Sequence, residues 1–412
     1  MLLHPAISES GFAALGAARS CPATAGDLPA PALMCPDLLV RFAEVSDGRC
    51  DQGRVHPVAV VLALCAAAVV AGMCSFTAIA GWAADVPAEL LAQLYGRPAE
   101  APSKATIWRV ITGADAAAVD AVIGAWLAGQ AAAGDSAARG AAGEPSGLVA
   151  IAVDGKTVRG AIDAEGNQVH LLAAATHRDA LVLGQVEVGA KTNEIPMFAP
   201  LLEGLADAGV DLAQAVITAD ALHTQRAHAQ YLHERGAGFV FTVKENQPGL
   251  FAALDALPWS QVPIAFRDID TGHGRITTRT IQMLPAPADL PFPHVNQGWL
   301  IERYTHDPAG APLSAVAALG VTNLPAHPGT LECLATLVRH HWGIESLHWL
   351  RDTVYHEDNS TVRTRSGPRV MASLRNLAIG AIRLTGRRDI TEATRSASRD
   401  MHRPFTILKL TS

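Results

Sequence analysis

Leu148–Asp154, LVAIAVD, and Ala215–Asp220, AVITAD, decide how this chain is read. Both are short apolar runs without internal charge, the pattern of strands buried on two faces rather than of a surface helix. Each ends in aspartate. Ligands of open α/β sheets gather beyond the carboxyl ends of parallel strands, so Asp154 and Asp220 on neighbouring strands can share one divalent cation or a pair. Each also has a plainer local use: Asp154 opening a turn with Gly155 and Lys156, and Asp220 capping a helix that begins near Leu222.

Working outward, the order is strand 148–153, strand 168–176, strand 181–188, helix 194–208, strand 214–219, helix 222–235 and strand 238–243. Three strands on short turns predict an antiparallel meander, and strands separated by helices predict parallel crossovers. A ribonuclease H-like mixed sheet, an α/β fold, satisfies both and sets the first strand beside the fourth. Pro-rich turns and strand-like pieces at 264–284, 299–306 and 315–323 mark a β-rich insertion over about 245–327. On the amino-terminal side, Gly129–Gly147 is a small-residue linker, residues 37–128 form an all-α domain, and residues 1–36 are a loose leader. The catalytic domain is expected over 148–385, with a tail at 386–412.

A third acid stands out in HHWGIESLHW. The stretch 331–353 reads as a helix with an apolar stripe of Leu331, Leu334, Val338, Trp342 and Trp349. Glu345 falls on that stripe, with His341, His348 and Asp352 at neighbouring helical positions. A carboxylate facing a core needs a metal, an arginine or a hydrogen-bonding cluster, because burying it alone costs several kcal/mol. Trp342 and Trp349, at helical spacing, are expected in the core rather than stacked on a base.

The 412 residues suffice for two or three domains, which excludes a small binding module. The net charge of -7 conceals a basic end: residues 339–412 hold 13 Lys or Arg against seven Asp or Glu, leaving -13 for the rest. The six cysteines form no CxxC pair and no paired zinc-finger spacing, so reduced thiols in a cytoplasmic protein are expected. The start, MLLHPAISES, has no basic leader of the secretory kind. Val55–Ala84 carries no Asp, Glu, Lys or Arg, but its alanines and its Gly72, Ser75, Thr77 and Gly81 favour two packed helices over a membrane span.

With these motifs in hand, the chain resembles DDE-type insertion-sequence transposases, in the subgroup related to H-repeat-associated proteins, over roughly residues 37–385. The resemblance is carried by VSDGRCDQGRVHP, APSKATIWRV, IAVDGKTVRGA, AKTNEIP, VITADALHTQ, FVFTVKENQPGL, HGRITTRTI and HWGIESLHWLRDTVYHED, in that order. It implies a catalytic and metal-binding triad of Asp154, Asp220 and Glu345, with the β insertion a family feature. Where the wider superfamily often places Tyr, Arg and Lys around the glutamate, this chain has Val338, His341 and Asp352. Asp352, Glu357 and Asp358 are rival carboxylates.

The implied reaction is DNA cleavage and strand transfer with two Mg²⁺ ions, Mn²⁺ substituting, since hard cations prefer oxygen ligands. The implied partners are double-stranded DNA, namely the terminal inverted repeats of an element and its target. A homodimer on that DNA, bacterial and nucleoid-associated when acting, is expected, with no membrane. Lys156, Arg159, Lys191, Lys244, His273, Arg275 and Arg279 are candidate nucleic-acid contacts. Against that stand turn solubility for Lys156 and Lys244 and cross-strand pairing for Arg275 and Arg279. Two other classes remain: a His341/Glu345/His348 metal hydrolase, from the Glu-x-x-His spacing, and a DNA-binding relic without catalysis.

Overall fold

Period-two alternation builds the layers. Ile151 and Val153 enter one buried cluster while Ala152 between them enters another, so the first strand is covered on both faces. The computed structural model describes residues 38–50, 54–138, 148–162, 165–272, 274–326 and 328–411. The expected leader 1–36 and residues 139–147 lie outside the described residues.

Six helices come first: α1 (Leu38–Phe42), α2 (Val58–Val70), α3 (Phe76–Ala84), α4 (Ala88–Tyr95), α5 (Lys104–Gly113) and α6 (Ala116–Ala138). The uncharged Val55–Ala84 stretch does form two helices, and every residue of α2 after Val58 is buried in protein. Gly96 closes α4 in the left-handed conformation, and the Ser103 hydroxyl caps α5 by accepting from the Thr106 amide. By length and composition the Ala116–Ala133 part of α6 would suffice to cross a membrane. Its Val119, Ile123, Trp126 and Leu127 are instead buried in the core, and Gly124 lets it press against the Leu183 backbone. The helix runs ten residues into the small-residue stretch 129–147, as alanine-rich sequence does when a helix is already nucleated.

The sheet follows: β1 (Val149–Ile162), β2 (Gln168–Thr176), β3 (Val182–Val188), helix α7 (Phe198–Asp207), β4 (Ala215–Ala219), helix α8 (Arg226–Glu234) and β5 (Gly238–Val243). β1 to β3 form an antiparallel meander, and β4 and β5 run parallel to β1. After helix α9 (Pro248–Asp255) come β6 (Phe266–Gly272), β7 (Arg275–Pro285), β8 (Gln297–His306) and β9 (Pro312–Thr322). Gly274 turns β6 into β7 with φ of 68°, dividing what reads in sequence as one piece, 264–284. These four strands extend the same sheet, because β9 pairs antiparallel with β5, giving the order β3-β2-β1-β4-β5-β9-β8-β7-β6.

One face of the first five strands is covered by α7, α8 and α9. The other is covered by the amino-terminal helices together with α10 (Pro328–Thr353), α11 (Gly367–Leu384), α12 (Ile390–Ser398) and α13 (His402–Ile407). The expected tail is therefore folded: Ile390, Ala393, Phe405 and Leu408 are buried, and Phe405 stacks on Trp82 at 5.8 Å. Cys35–Ser412 forms one compact unit.

Candidate active site

Register brings the two aspartates together. β1 and β4 pair in parallel from Val149↔Ala215 to Val153↔Ala219, so Asp154 and Asp220 are the next residues on adjacent strands. β1 does not turn at Asp154: it continues through Gly155 and Lys156 to Ile162, paired with β2. The turn expected at Asp154-Gly155-Lys156 is absent because the polar half of β1 still finds a partner strand. Asp220 does act as a cap, accepting from the Leu222 amide at 2.9 Å through Oδ1 at the start of the 3-10 turn Ala221–His223.

α10 lies across these strand ends with Leu334, Leu337, Ile344, Leu347, His348 and Arg351 buried. That face differs from the stripe expected from sequence. Trp342 is 42% exposed and Trp349 63% exposed, and Glu345 is exposed between them. The core takes the neighbouring helical face instead, since Ile344 and Leu347 meet the helical core and Leu334 and Leu337 meet Val216, Val240 and Trp299. The Arg303 guanidinium lies over the Trp342 ring at 5.3 Å. Beside it, between α10 and β6–β9, is a cavity of about 240 Å³ lined by Phe266, Ile281, Ile301 and Trp342 among others. It adjoins the helix but holds none of the three acids.

Glu345 nevertheless faces the aspartates electrostatically. Partial burial and the negative charges of Asp154 and Asp220 raise its carboxyl above the usual range, against the pull of Lys244. Two histidines brace the site. His348 Nδ1 lies 3.4 Å from Asp154 Oδ2, and His341 Nδ1 lies 2.9 Å from Thr218 Oγ1, which also meets His177 Nε2 at 2.8 Å. Burial holds both His341 and His348 below the usual imidazole value, so they stay neutral beside the acids.

The rival carboxylates are engaged elsewhere. Glu357 is fully buried between Arg351 and Arg375, at 2.7 Å and 2.8 Å. Asp352 pairs with Lys156 at 2.7 Å, and Asp358 lies 3.7 Å from both Lys156 and Arg159.

The seven candidate nucleic-acid contacts divide. Lys156, 8% exposed, is spent on Asp352, and Arg279 pairs across strands with Asp268 at 3.4 Å. Arg159 is exposed beside Asp358, whereas Lys191, Lys244 and Arg275 are exposed without an ion-pair partner among the described residues. His273 lies outside the described residues.

Sequence reasoning missed Glu194. Its carboxylate accepts from His170 at 2.7 Å and from His223 at 3.0 Å, and His170 Nδ1 meets Thr157 Oγ1 at 2.8 Å. Burial pushes Glu194 up, but the two histidine hydrogen bonds outweigh it and hold the carboxyl down at about 2. The available signal was an acid within AKTNEIP, just before a helix.

Divalent-ion chemistry asks for hard oxygen donors carrying uncompensated negative charge. Asp154, Asp220 and Glu345 offer oxygen donors of that kind, and partial burial with the charges of the two aspartates raises the Glu345 carboxyl. Among the described residues no three Asp, Glu, His or Cys side chains are drawn into a ready-made cage.

Comparison with known proteins identifies the family. Residues 145–380, more than half the chain, match the "Transposase DDE domain" family, and residues 39–127 match the "DDE_Tnp_1-associated" family. The chain is 28% identical over 248 residues to "Putative transposase YncI" of Escherichia coli O157:H7, covering 57% of this chain and 61% of that protein. It is 26% identical over 252 residues to "H repeat-associated putative transposase YhhI" of Escherichia coli (strain K12), covering 56% and 63%. The chain thus spans about three-fifths of the length of these relatives. A piggyBac transposase synaptic complex with hairpin DNA aligns at a TM-score of 0.34 and 11% identity, over 65% of this chain and 54% of that one, and contributes nothing further. On the strength of the domain match, the chain belongs to the DDE-domain transposases, in company with the H-repeat-associated proteins.

Proposed function

We propose that this chain is a transposase that cuts DNA at the ends of an insertion sequence and joins the freed strand to a target, with Asp154, Asp220 and Glu345 as its catalytic carboxylates. The observation that carries this reading is the β1/β4 register, which makes Asp154 and Asp220 neighbours beneath the helix bearing Glu345. The order β3-β2-β1-β4-β5, with a meander followed by parallel strands, supports a ribonuclease H-like core extended by the insertion strands.

The three carboxylates would hold the divalent ions that this family generally uses; Mg²⁺ is the proposed ion, with Mn²⁺ substituting and two ions expected. Bound there, such ions supply charge to activate the attacking oxygen and stabilise the leaving one. The chain's own part is positioning. The parallel register fixes the two aspartates, the Asp220 cap turns Oδ1 toward the Leu222 amide, and neutral His348 steadies Asp154 without a competing positive charge. Lys191, Lys244, Arg159 and Arg275 are left to meet DNA phosphates, whose contacts position rather than specify. Terminal inverted repeats, target DNA, a dimer on paired ends and a bacterial cytoplasmic setting belong to the same proposal. The histidine hydrolase reading is not favoured, because residues 145–380 match the transposase DDE domain family and that reading gives Asp154 and Asp220 no part.

The test is metal-dependent cleavage of DNA carrying the element's flanking ends by wild type, Asp154→Ala, Asp220→Ala and Glu345→Ala. Loss in all three supports the triad. Binding without cleavage by wild type points to a relic, and an active Glu345→Ala removes that residue from the triad.

A further inference from the structure

We propose that Glu194 is a positioning residue that sets the spacing of Asp154 and Asp220. The inference rests on the functional reading above and adds a residue to it. The parallel pairing of β1 and β4 ends at Val153↔Ala219, so no mutual backbone ladder holds the two aspartates, although their like charges push them apart. Something else must tie the strand ends.

Glu194 stands where that tie is needed. It precedes the 3-10 turn Ile195–Met197, ahead of α7. One carboxylate oxygen reaches His170 on β2, and through that ring Thr157 on β1; the other reaches His223, three residues beyond Asp220. The same carboxylate lies so close to Gly155, the residue after Asp154, that a Cβ there would overlap it. A single side chain therefore presses on the backbone next to one aspartate and grips the turn that follows the other. His228 packs behind the grip, with Nε2 3.0 Å from the Ile195 carbonyl and Nδ1 3.0 Å from that of His223, and its neutral ring donates to one of the two. His223 is 1% exposed and its Nδ1 has no partner among the described residues, so the Glu194 contact is the one hydrogen bond holding its ring. Glycine at 155 follows from the same crowding: the smallest residue makes room for the clasp.

The full chain with Glu194→Gln tests this, because an amide cannot accept from both histidines. Loss of an outer contact to a metal ligand typically weakens metal binding or activity about ten- to a hundredfold. The Mg²⁺ concentration for half-maximal cleavage should rise by that factor, with the KM for DNA unchanged and the thermal midpoint in chelator close to that of wild type. The Mn²⁺-induced thermal shift, which needs no turnover, should shrink in parallel. Gly155→Ala should lower the thermal midpoint in wild type and much less in a Glu194→Ala background. An unchanged metal midpoint in Glu194→Gln, or an equal cost of Gly155→Ala in both backgrounds, overturns the clasp. Wild type showing neither cleavage nor a Mn²⁺ shift overturns the functional reading and the role of Glu194 with it.

Discussion

Two carboxylate clusters about one helix show opposite solutions to the same problem. At the end of α10, Glu357 is fully buried yet doubly matched by Arg351 and Arg375, which outweigh burial and keep its carboxyl below the usual range. Twelve residues earlier, on α10 itself, Glu345 is more exposed but faces Asp154 and Asp220, and its carboxyl is raised. Depth does not separate them; compensation does. A buried acid with two guanidiniums holds the fold together, whereas the raised carboxyl of Glu345 reflects partial burial and the nearby negative charges of Asp154 and Asp220, which a bound cation would offset.

The comparison breaks most visibly at the open cluster. Asp154→Ala or Asp220→Ala should cut DNA cleavage by on the order of 10²–10³ or more, the scale of losing one preorganised electrostatic contact. Circular dichroism should stay near wild type in both, and the thermal midpoint in chelator should fall modestly in Asp220→Ala, by the roughly 0.5–2 kcal/mol of a lost cap. At the matched cluster the outcome inverts: Glu357→Gln should cost about 3–5 kcal/mol of stability by denaturant titration, because it leaves buried guanidiniums short of charge. A Glu357→Gln variant as stable as wild type would dissolve the contrast.

Next in size is the acid limb of stability. His177 and His228 are held below the usual imidazole value of 6.5 by burial, to about 3 and about 4. A histidine whose folded pKa is depressed stabilises the fold above pH 6.5, and that contribution is lost as pH falls toward the folded value. For His228 the loss is on the order of 3 kcal/mol. Denaturant midpoints at pH 7 and pH 5 should fall further in wild type than in His228→Gln. The smallest effect belongs to Trp349→Ala. As an exposed residue it should change stability by about 0.5 kcal/mol or less, whereas a core tryptophan would cost about 3–5 kcal/mol.

That last contrast marks where sequence stopped being legible. The adjacency of Asp154 and Asp220 could be read because buried parallel strands write themselves as unbroken apolar runs, and the register then follows from topology. The orientation of α10 could not. It has apolar residues on several sides, and only the tertiary neighbours Val216, Val240 and Trp299 choose Leu334 and Leu337 over Trp342 and Trp349. β1 beyond Asp154 reads as a turn because Gly155 and Lys156 are turn-like in isolation, yet β2 pairs with them. The insertion reads as a separate β piece, while its union with the main sheet depends on the long-range contact of β9 with β5. The cross-strand pairing weighed for Arg279 is present with Asp268, while the Lys156 partner Asp352 could not be read because it lies far along the chain. The clasp of Glu194 was hidden for the same reason: its meaning lies in His170 and His223, which sequence separates from it by 24 and 29 residues.

The most direct test of the unmatched cluster is calorimetric titration of Mn²⁺ into wild type and into the Asp154→Asn/Asp220→Asn double variant. Wild type should bind and gain thermal stability with the ion, while the variant binds far more weakly and, without metal, is at least as stable as wild type. Equal binding by both proteins, or none by wild type, would contradict the assignment of these carboxylates as the site.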